Sequence, residues 1–122
     1  MAIDIGTTTG QLIGAIQSQL KSGWSTISSF VTTQSKMLAT QAAWIAQDRV
    51  VGSLRNDDDL FNFFIQQLKD SIKSFAHTVA ALTVLTLEKA WNAAVGVLWG
   101  AINGVLQGAG LGGLIPPAAP II

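Results

Sequence analysis

Hydrophobic residues follow a helical period through the first half of the chain. They step by three or four positions, which is the spacing that places side chains on one face of an α-helix. The pattern predicts one long helix over residues 8–55, started by a capping box of Thr8 and Gln11 and weakened at its end by Gly52. The positions in the series are Ile13, Ile16, Leu20, Trp24, Ile27, Val31, Ser35, Leu38 and Ala42.

A second apolar stripe lies beside the first on the same predicted helix. Its members recur every seven residues and are Phe30, Met37, Trp44 and Val51. A helix that buries one side needs only one stripe, so the second stripe indicates contact with a further neighbour.

The second half of the chain predicts a second long helix, over residues 58–107. Asn56 or Asp57 is expected to cap its first turn. The helix dipole also favours negative charge at this end, where Asp57, Asp58 and Asp59 are consecutive. Beyond Val79 nearly every face of this helix is apolar, which indicates burial on all sides or contact with lipid.

Together the two segments predict an all-α protein with a single domain, a long antiparallel two-helix hairpin. An N-terminal arm is expected over residues 1–7, and glycines and prolines predict an extended apolar tail over residues 108–122. A two-helix hairpin encloses no core, so its outer stripes must be buried by other copies, a partner or lipid. We therefore expect a homo-oligomer.

Glycines recur every four residues near both ends of the chain. Residues four apart share one helix face, so such a row forms a groove that lets another backbone approach closely. Each mid-helix glycine costs roughly 1 kcal/mol relative to alanine, which favours a packing role within the chain or between copies. The pattern resembles the glycine zippers of membrane helices and helical pores. The predicted packing and oligomerisation residues are Gly6, Gly10, Gly14, Gly96, Gly100, Gly104 and Gly108.

Charge is sparse and unevenly distributed. Charged residues make up 11% of the chain, the net charge is zero, and residues 90–122 carry none. A nucleic-acid-binding module would show a basic surplus, so no sequence-specific binding of nucleic acid is expected. The uncharged window over residues 90–110 has about the length of a membrane span, although Asn92, Asn103 and its glycines make it a marginal one. No signal peptide is recognisable, which agrees equally with packaging in a virion, delivery by an apparatus and an ordinary cytoplasmic protein. The location is therefore open, and the low charge favours a membrane-associated or virion location.

Candidate chemistry is scarce. The chain has no cysteine, no tyrosine and one histidine, and His77 has no carboxylate at helical spacing. Residues Asp57 to Asp59 lack the spaced oxygen ligands of a calcium loop. We therefore expect that the protein is not an enzyme and that it has no catalytic residues, no cofactor and no metal site.

One short motif resembles a nucleotide site. Residues 4–10, Asp-Ile-Gly-Thr-Thr-Thr-Gly, are similar to the first phosphate-binding loop of the sugar-kinase and actin-like ATPase superfamily. In that superfamily a second strand follows the loop and two domains form the cleft. Here the helical period begins at Gln11 and the chain is too short for two domains, so the motif is not taken as a nucleotide site.

These observations favour a non-enzymatic, self-assembling helical structural protein that forms a tube or pore at a membrane. Its expected architecture is similar to that of phage ejection proteins and secretion-system channel subunits, with a lipid bilayer and other structural proteins of a virion or secretion apparatus as partners. The residues predicted to line a lumen are Gln11, Asn92, Asn103 and Gln107. The alternative is a soluble structural or assembly subunit of a larger complex, such as a virion or filament, without membrane contact.

Overall fold

The protein is a bundle of four α-helices. The computed structural model describes residues 3–20 and 22–119, and within these ranges it contains no strand. The predicted all-α class is therefore confirmed. The helices are α1 (Ile5–Gln17), α2 (Trp24–Val51), α3 (Asp58–Leu82) and α4 (Leu87–Gly108).

The prediction of a single helix over residues 8–55 is wrong, because the helix is interrupted between the end of α1 and the start of α2. Gly23 precedes α2 with a φ of +83°, a left-handed conformation that glycine adopts without steric cost. The predicted start also moves: Asp4, not Thr8, caps α1, and its carboxylate accepts a hydrogen bond of 3.0 Å from the Thr7 N–H. The predicted arm over residues 1–7 is therefore helical from Ile5 onward.

The helix predicted over residues 58–107 is also interrupted. The Thr83 hydroxyl donates to the Val79 carbonyl at 2.7 Å and accepts from the Leu85 N–H at 3.1 Å, which gives the backbone an alternative to another helical turn. Thr86 then caps α4 by accepting from the Lys89 N–H at 3.1 Å.

The predicted cap before residue 58 is confirmed. The Asp57 carboxylate accepts a hydrogen bond of 2.9 Å from the Leu60 N–H at the start of α3. Asp58 and Asp59 occupy the first turn of that helix, where the dipole favours negative charge.

The helices pack in a fixed order around the bundle. Helix α1 contacts α2 and α4, and α3 also contacts α2 and α4, whereas α1 and α3 make no contact in the part of the chain that the structure describes. Helices α2 and α4 contact each other through the centre. It follows that the outer surface shared by α1 and α4 and the outer surface shared by α2 and α3 lie on opposite sides.

All four helices contribute to one hydrophobic core. Leu12 and Ile16 of α1 are fully buried in it, as are the predicted stripe residues Ile27 and Val31 of α2. The bundle therefore buries within one chain the first apolar stripe of α2, which a two-helix hairpin would leave partly open. Association was expected because a two-helix hairpin has no core. The four-helix bundle has a core, so this reason for association does not hold.

Candidate functional site

The second apolar stripe of α2 is mostly on the surface. Phe30 is half-buried and stacks on Phe75, with ring centroids 5.9 Å apart and planes 10° apart. Further along the helix, Met37 is 58% exposed, Trp44 45% and Val51 71%. The core of the chain thus leaves three of the four stripe residues uncovered.

Aromatic residues of α3 extend this exposed surface. The Trp44 ring meets the Phe64 ring edge to face, with centroids 4.9 Å apart, and the Phe63 ring lies 5.4 Å from that of Phe64. Phe63 itself is 54% exposed. We call this surface the bulky face, and its residues are Met37, Trp44, Val51, Phe63 and Phe64. Exposed apolar patches of this kind mark interaction sites more often than single exposed residues do.

The predicted glycine positions lie on the outside of α1 and α4. Every one of them is exposed, and Gly108 is the last residue of α4. A Cβ added at the five central glycines would meet no atom of another described element or side chain within 4 Å; these are Gly10, Gly14, Gly96, Gly100 and Gly104. Within one chain, therefore, no neighbouring helix makes a close approach at these five glycines.

Two of the glycines line an open groove between α1 and α4. The groove has a volume of about 350 Å³. We call it the glycine groove, and its lining residues are Ile3, Asp4, Thr7, Thr8, Gly100, Ala101, Gly104 and Val105. It lies on the α1–α4 side of the bundle, opposite the bulky face. The resemblance of residues 4–10 to a phosphate loop ends here, because Ile5 onward is helix and the Asp4 carboxylate caps it.

The four predicted lumen residues differ in their surroundings. Gln11 on α1 is exposed, as are Asn92 and Gln107 on α4. Asn103 is half-buried and its amide binds the chain that follows α4. The structure therefore does not bring the four side chains together at one described contact, and Asn103 has a role that the sequence did not indicate.

The chain turns back along α4 after the helix ends. Gly110 has a φ of +80°, and the Leu111 N–H closes the turn on the Leu106 carbonyl at 2.8 Å. Residues 111–119 then form neither helix nor strand. The last three residues of the predicted tail lie outside the described part.

Two side chains of α4 bind this returning segment. The Asn103 amide donates to the Leu114 carbonyl at 2.8 Å and accepts from the Leu114 N–H at 2.6 Å. The Trp91 indole N–H donates to the Pro117 carbonyl at 3.1 Å. We call Trp91 and Asn103 the tail-binding face. The only sequence signal for it was an uncharged polar residue near a glycine- and proline-rich segment.

Arg49 fastens the connection between α2 and α3. Its guanidinium donates to the Leu54 carbonyl and to the Asp58 carboxylate, each at 2.7 Å. The same group lies over the Phe61 ring, 4.3 Å from the ring centroid. Arg49 thus holds the turn by hydrogen bonds, an ion pair and a cation–π contact at once.

Two findings limit the kinds of site on the described surface. Over residues 3–20 and 22–119, His, Asp and Glu form no group of three or more that could hold a metal ion. Over the same ranges, no helix combines the length and apolarity needed to cross a membrane.

Comparison with known proteins returned no relative. No family model, no curated protein and no solved structure matches the chain.

Proposed function

We propose that the protein is a non-enzymatic structural subunit that assembles head to tail into a filament or tube. In this assembly the bulky face of one copy docks into the glycine groove of the next copy. One observation carries the proposal: the same bundle has large exposed apolar side chains on one side and a groove lined by glycine and other small residues on the opposite side.

The two surfaces are complementary in size. Gly100 and Gly104 leave open space where side chains would otherwise project, and Trp44 and Phe63 supply large apolar groups to fill such space. Aromatic residues and methionine are enriched where proteins meet. The glycines make no packing contacts with other helices of their own chain, and a second copy that approaches them closely would supply such contacts.

The electrostatic cost of this contact is small. None of the five residues of the bulky face is charged, and Asp4 is the one charged residue among those lining the groove. The Asp4 carboxylate already accepts a hydrogen bond from the Thr7 N–H. Docking therefore covers mainly apolar surface, which is the favourable term in most protein associations.

The form of the assembly follows from the fact that the two docking surfaces differ and lie on opposite sides of the bundle. A contact between two different surfaces of the same molecule repeats from copy to copy, and it ends only where a ring closes. A closed series gives a ring, and an open helical series gives a filament, which is a tube where its turns enclose a central channel.

Mixing two variants tests this geometry. Phe63→Gln impairs the bulky face and leaves the groove intact, whereas Gly100→Leu fills the groove and leaves the bulky face intact. Light scattering should give wild-type masses that are multiples of 12.8 kDa and monomer masses for each variant alone. An equimolar mixture should then form a pair of twice the monomer mass, because each variant retains one working surface.

Leu82→Gln is the matched control, since Leu82 is 52% exposed and lies at the opposite end of α3 from Phe63. Its assembly should equal that of the wild type. Circular dichroism must show that every variant is folded. A mixture that stays monomeric would contradict head-to-tail docking, and a wild type that is monomeric at all concentrations would contradict self-assembly.

A tube or pore at a membrane is the second candidate function. Its support is the absence of charge from residue 90 to 119, which leaves only Asn92 and Gln107 as exposed polar side chains of α4 after Lys89. This candidate predicts flotation with liposomes and leakage of trapped dye. Gln11→Leu should then change conductance if Gln11 lines the lumen. Oligomers that remain at the bottom of the gradient and release no dye would contradict it and favour the subunit without membrane contact.

A further inference from the structure

The tail-binding face recognises its segment through the backbone. Asn103 satisfies both the N–H and the carbonyl of Leu114, which fixes one residue of an extended chain in direction and register. Trp91 supplies a donor to the carbonyl of Pro117, and a proline offers no N–H of its own. An indole donor beside a proline-rich segment is typical of surfaces that bind extended peptides.

The connection between α4 and this segment is longer than its present position requires. About 8 Å of helix separates Gly108 from Asn103, at a rise of 1.5 Å per residue. The six Cα-to-Cα steps from Gly108 to Leu114 span up to roughly 20 Å when the chain is extended. Four of the residues from 108 to 113 are glycine, which adopts many backbone conformations at little cost.

The bound segment also leaves a large apolar side chain uncovered. Ile115 lies between the two fixed points, Leu114 and Pro117, and is 89% exposed. Ile115 therefore contributes little to the binding of the tail within the chain, and its side chain is free to contact a second copy.

We infer that the tail-binding face is a peptide site that exchanges tails between copies: Trp91 and Asn103 of one subunit bind the segment Leu114–Pro117 of its neighbour. This inference rests on the proposed function, because tails can be exchanged only between copies that lie side by side. The hydrogen bonds are the same within a chain and between chains, so exchange is a low-cost way of linking subunits. Neighbours in an assembly present the segment at high effective concentration.

Cross-linking between two singly substituted chains tests the exchange. The natural chain has no cysteine, so Gln107→Cys in one chain and Gly113→Cys in another give one thiol each. A Cβ at Gly113 would lie 3.1 Å from the Gln107 amide nitrogen, which places the two positions side by side when the tail is bound. The chains are mixed unfolded, one with an affinity tag, then refolded together and treated with a short bis-maleimide.

The expected product is a cross-linked heterodimer. Its yield should exceed by roughly fivefold or more that of the control pair Ser25→Cys and Gly113→Cys. Ser25 is exposed at the start of α2, at the other end of the bundle from Gln107. A chain carrying both Gln107→Cys and Gly113→Cys is the positive control, because it cross-links internally if its own tail is bound.

Adding Asn103→Ala to the Gln107→Cys chain separates exchange from mere proximity. The heterodimer should fall to the control yield while the scattering mass of the assembly is retained. Heterodimer at the control yield in the original pair, together with a multimeric mass, would overturn tail exchange and leave the proposed function intact. A monomeric mass without heterodimer would overturn both.

Discussion

The side-chain amide of Asn103 makes both of its hydrogen bonds with the backbone of a single residue, Leu114. The two residues are 11 positions apart, on either side of the end of α4. This pair fixes where the returning chain lies on the helix. It also occupies the polar atoms of a residue that the sequence had indicated as a lumen-lining group.

Removing this amide should loosen the returning chain. Asn103→Ala leaves the part-buried Leu114 N–H and carbonyl without their partners, at an expected cost of about 1–3 kcal/mol in the free energy of unfolding. Urea denaturation measures the loss, and amide hydrogen exchange at Leu114 should accelerate. Asn92→Ala is the control, because Asn92 is exposed on the same helix, and its effect should stay within about 0.5 kcal/mol. Equal losses in the two variants would contradict the assigned role of Asn103.

Arg49 and Asp58 should differ in importance although they form one ion pair. The Arg49 side chain is only 20% exposed and also binds the Leu54 carbonyl and the Phe61 ring, whereas that of Asp58 is 79% exposed. Arg49→Ala should cost about 2–3 kcal/mol in unfolding free energy, because it removes a charged hydrogen bond and a ring contact. Asp58→Asn should cost less than about 0.5 kcal/mol, as exposed ion pairs do. Chemical denaturation of both variants checks the order, and a larger loss from Asp58→Asn would reverse it.

Ser35 offers a stabilising substitution. Its side chain is fully buried in the α2 stripe, and its hydroxyl has no hydrogen-bond partner among the described residues. Ser35→Ala removes the desolvation cost of that hydroxyl and should raise the free energy of unfolding by about 1–2 kcal/mol. Ser29→Ala, at an exposed position of the same helix, reports the gain from helix propensity alone, roughly 0.5 kcal/mol. A gain at position 35 no larger than at position 29 would show that the hydroxyl carries no such cost.

The glycines of α4 should affect stability and assembly in opposite directions. Gly100→Ala adds a Cβ into open space, so the unfolding free energy of the monomer should rise by about 0.5–1 kcal/mol. Under the proposed function, the same methyl group narrows the groove and should weaken assembly, which light scattering measures across a dilution series. Gly10→Ala is the matched control, because Gly10 is exposed on α1 but does not line the groove. Equal assembly by the two variants would remove Gly100 from the contact.

Periodicity predicted which residues enter the core but not how the helices are arranged. The stripe of Ile27, Val31, Leu38 and Ala42 is buried, because a single helix face determines its burial whatever the neighbour is. The cap at Asp57 was equally local and equally predictable. In contrast, Leu20 and Trp24 continue the apolar period across the break between α1 and α2. The period therefore concealed the break that lets α1 fold back.

The breaks between α1 and α2 and between α3 and α4 could not be predicted from the sequence, because contacts between residues distant along the chain stabilise them. When α1 ends at Gln17, the helical hydrogen bonds of a continuous helix are lost. The burial of Leu12 and Ile16 in the shared core offsets this loss. Thr83 and Thr86 provide the hydrogen bonds at the second break, yet threonine occurs within helices too. The tail-binding face was missed for the same reason, since its bonds join positions 11 and 26 residues apart.

The walls of the glycine groove come from α1 and α4, whereas the bulky face is built from the consecutive helices α2 and α3. A chain is synthesised from its N-terminus, so α2 and α3 are complete before α4. The bulky face is therefore complete once α3 has packed against α2, while the groove is complete only after α4 has joined α1. Under the proposed head-to-tail assembly, all residues of the bulky face are therefore synthesised before the α4 residues that complete the groove.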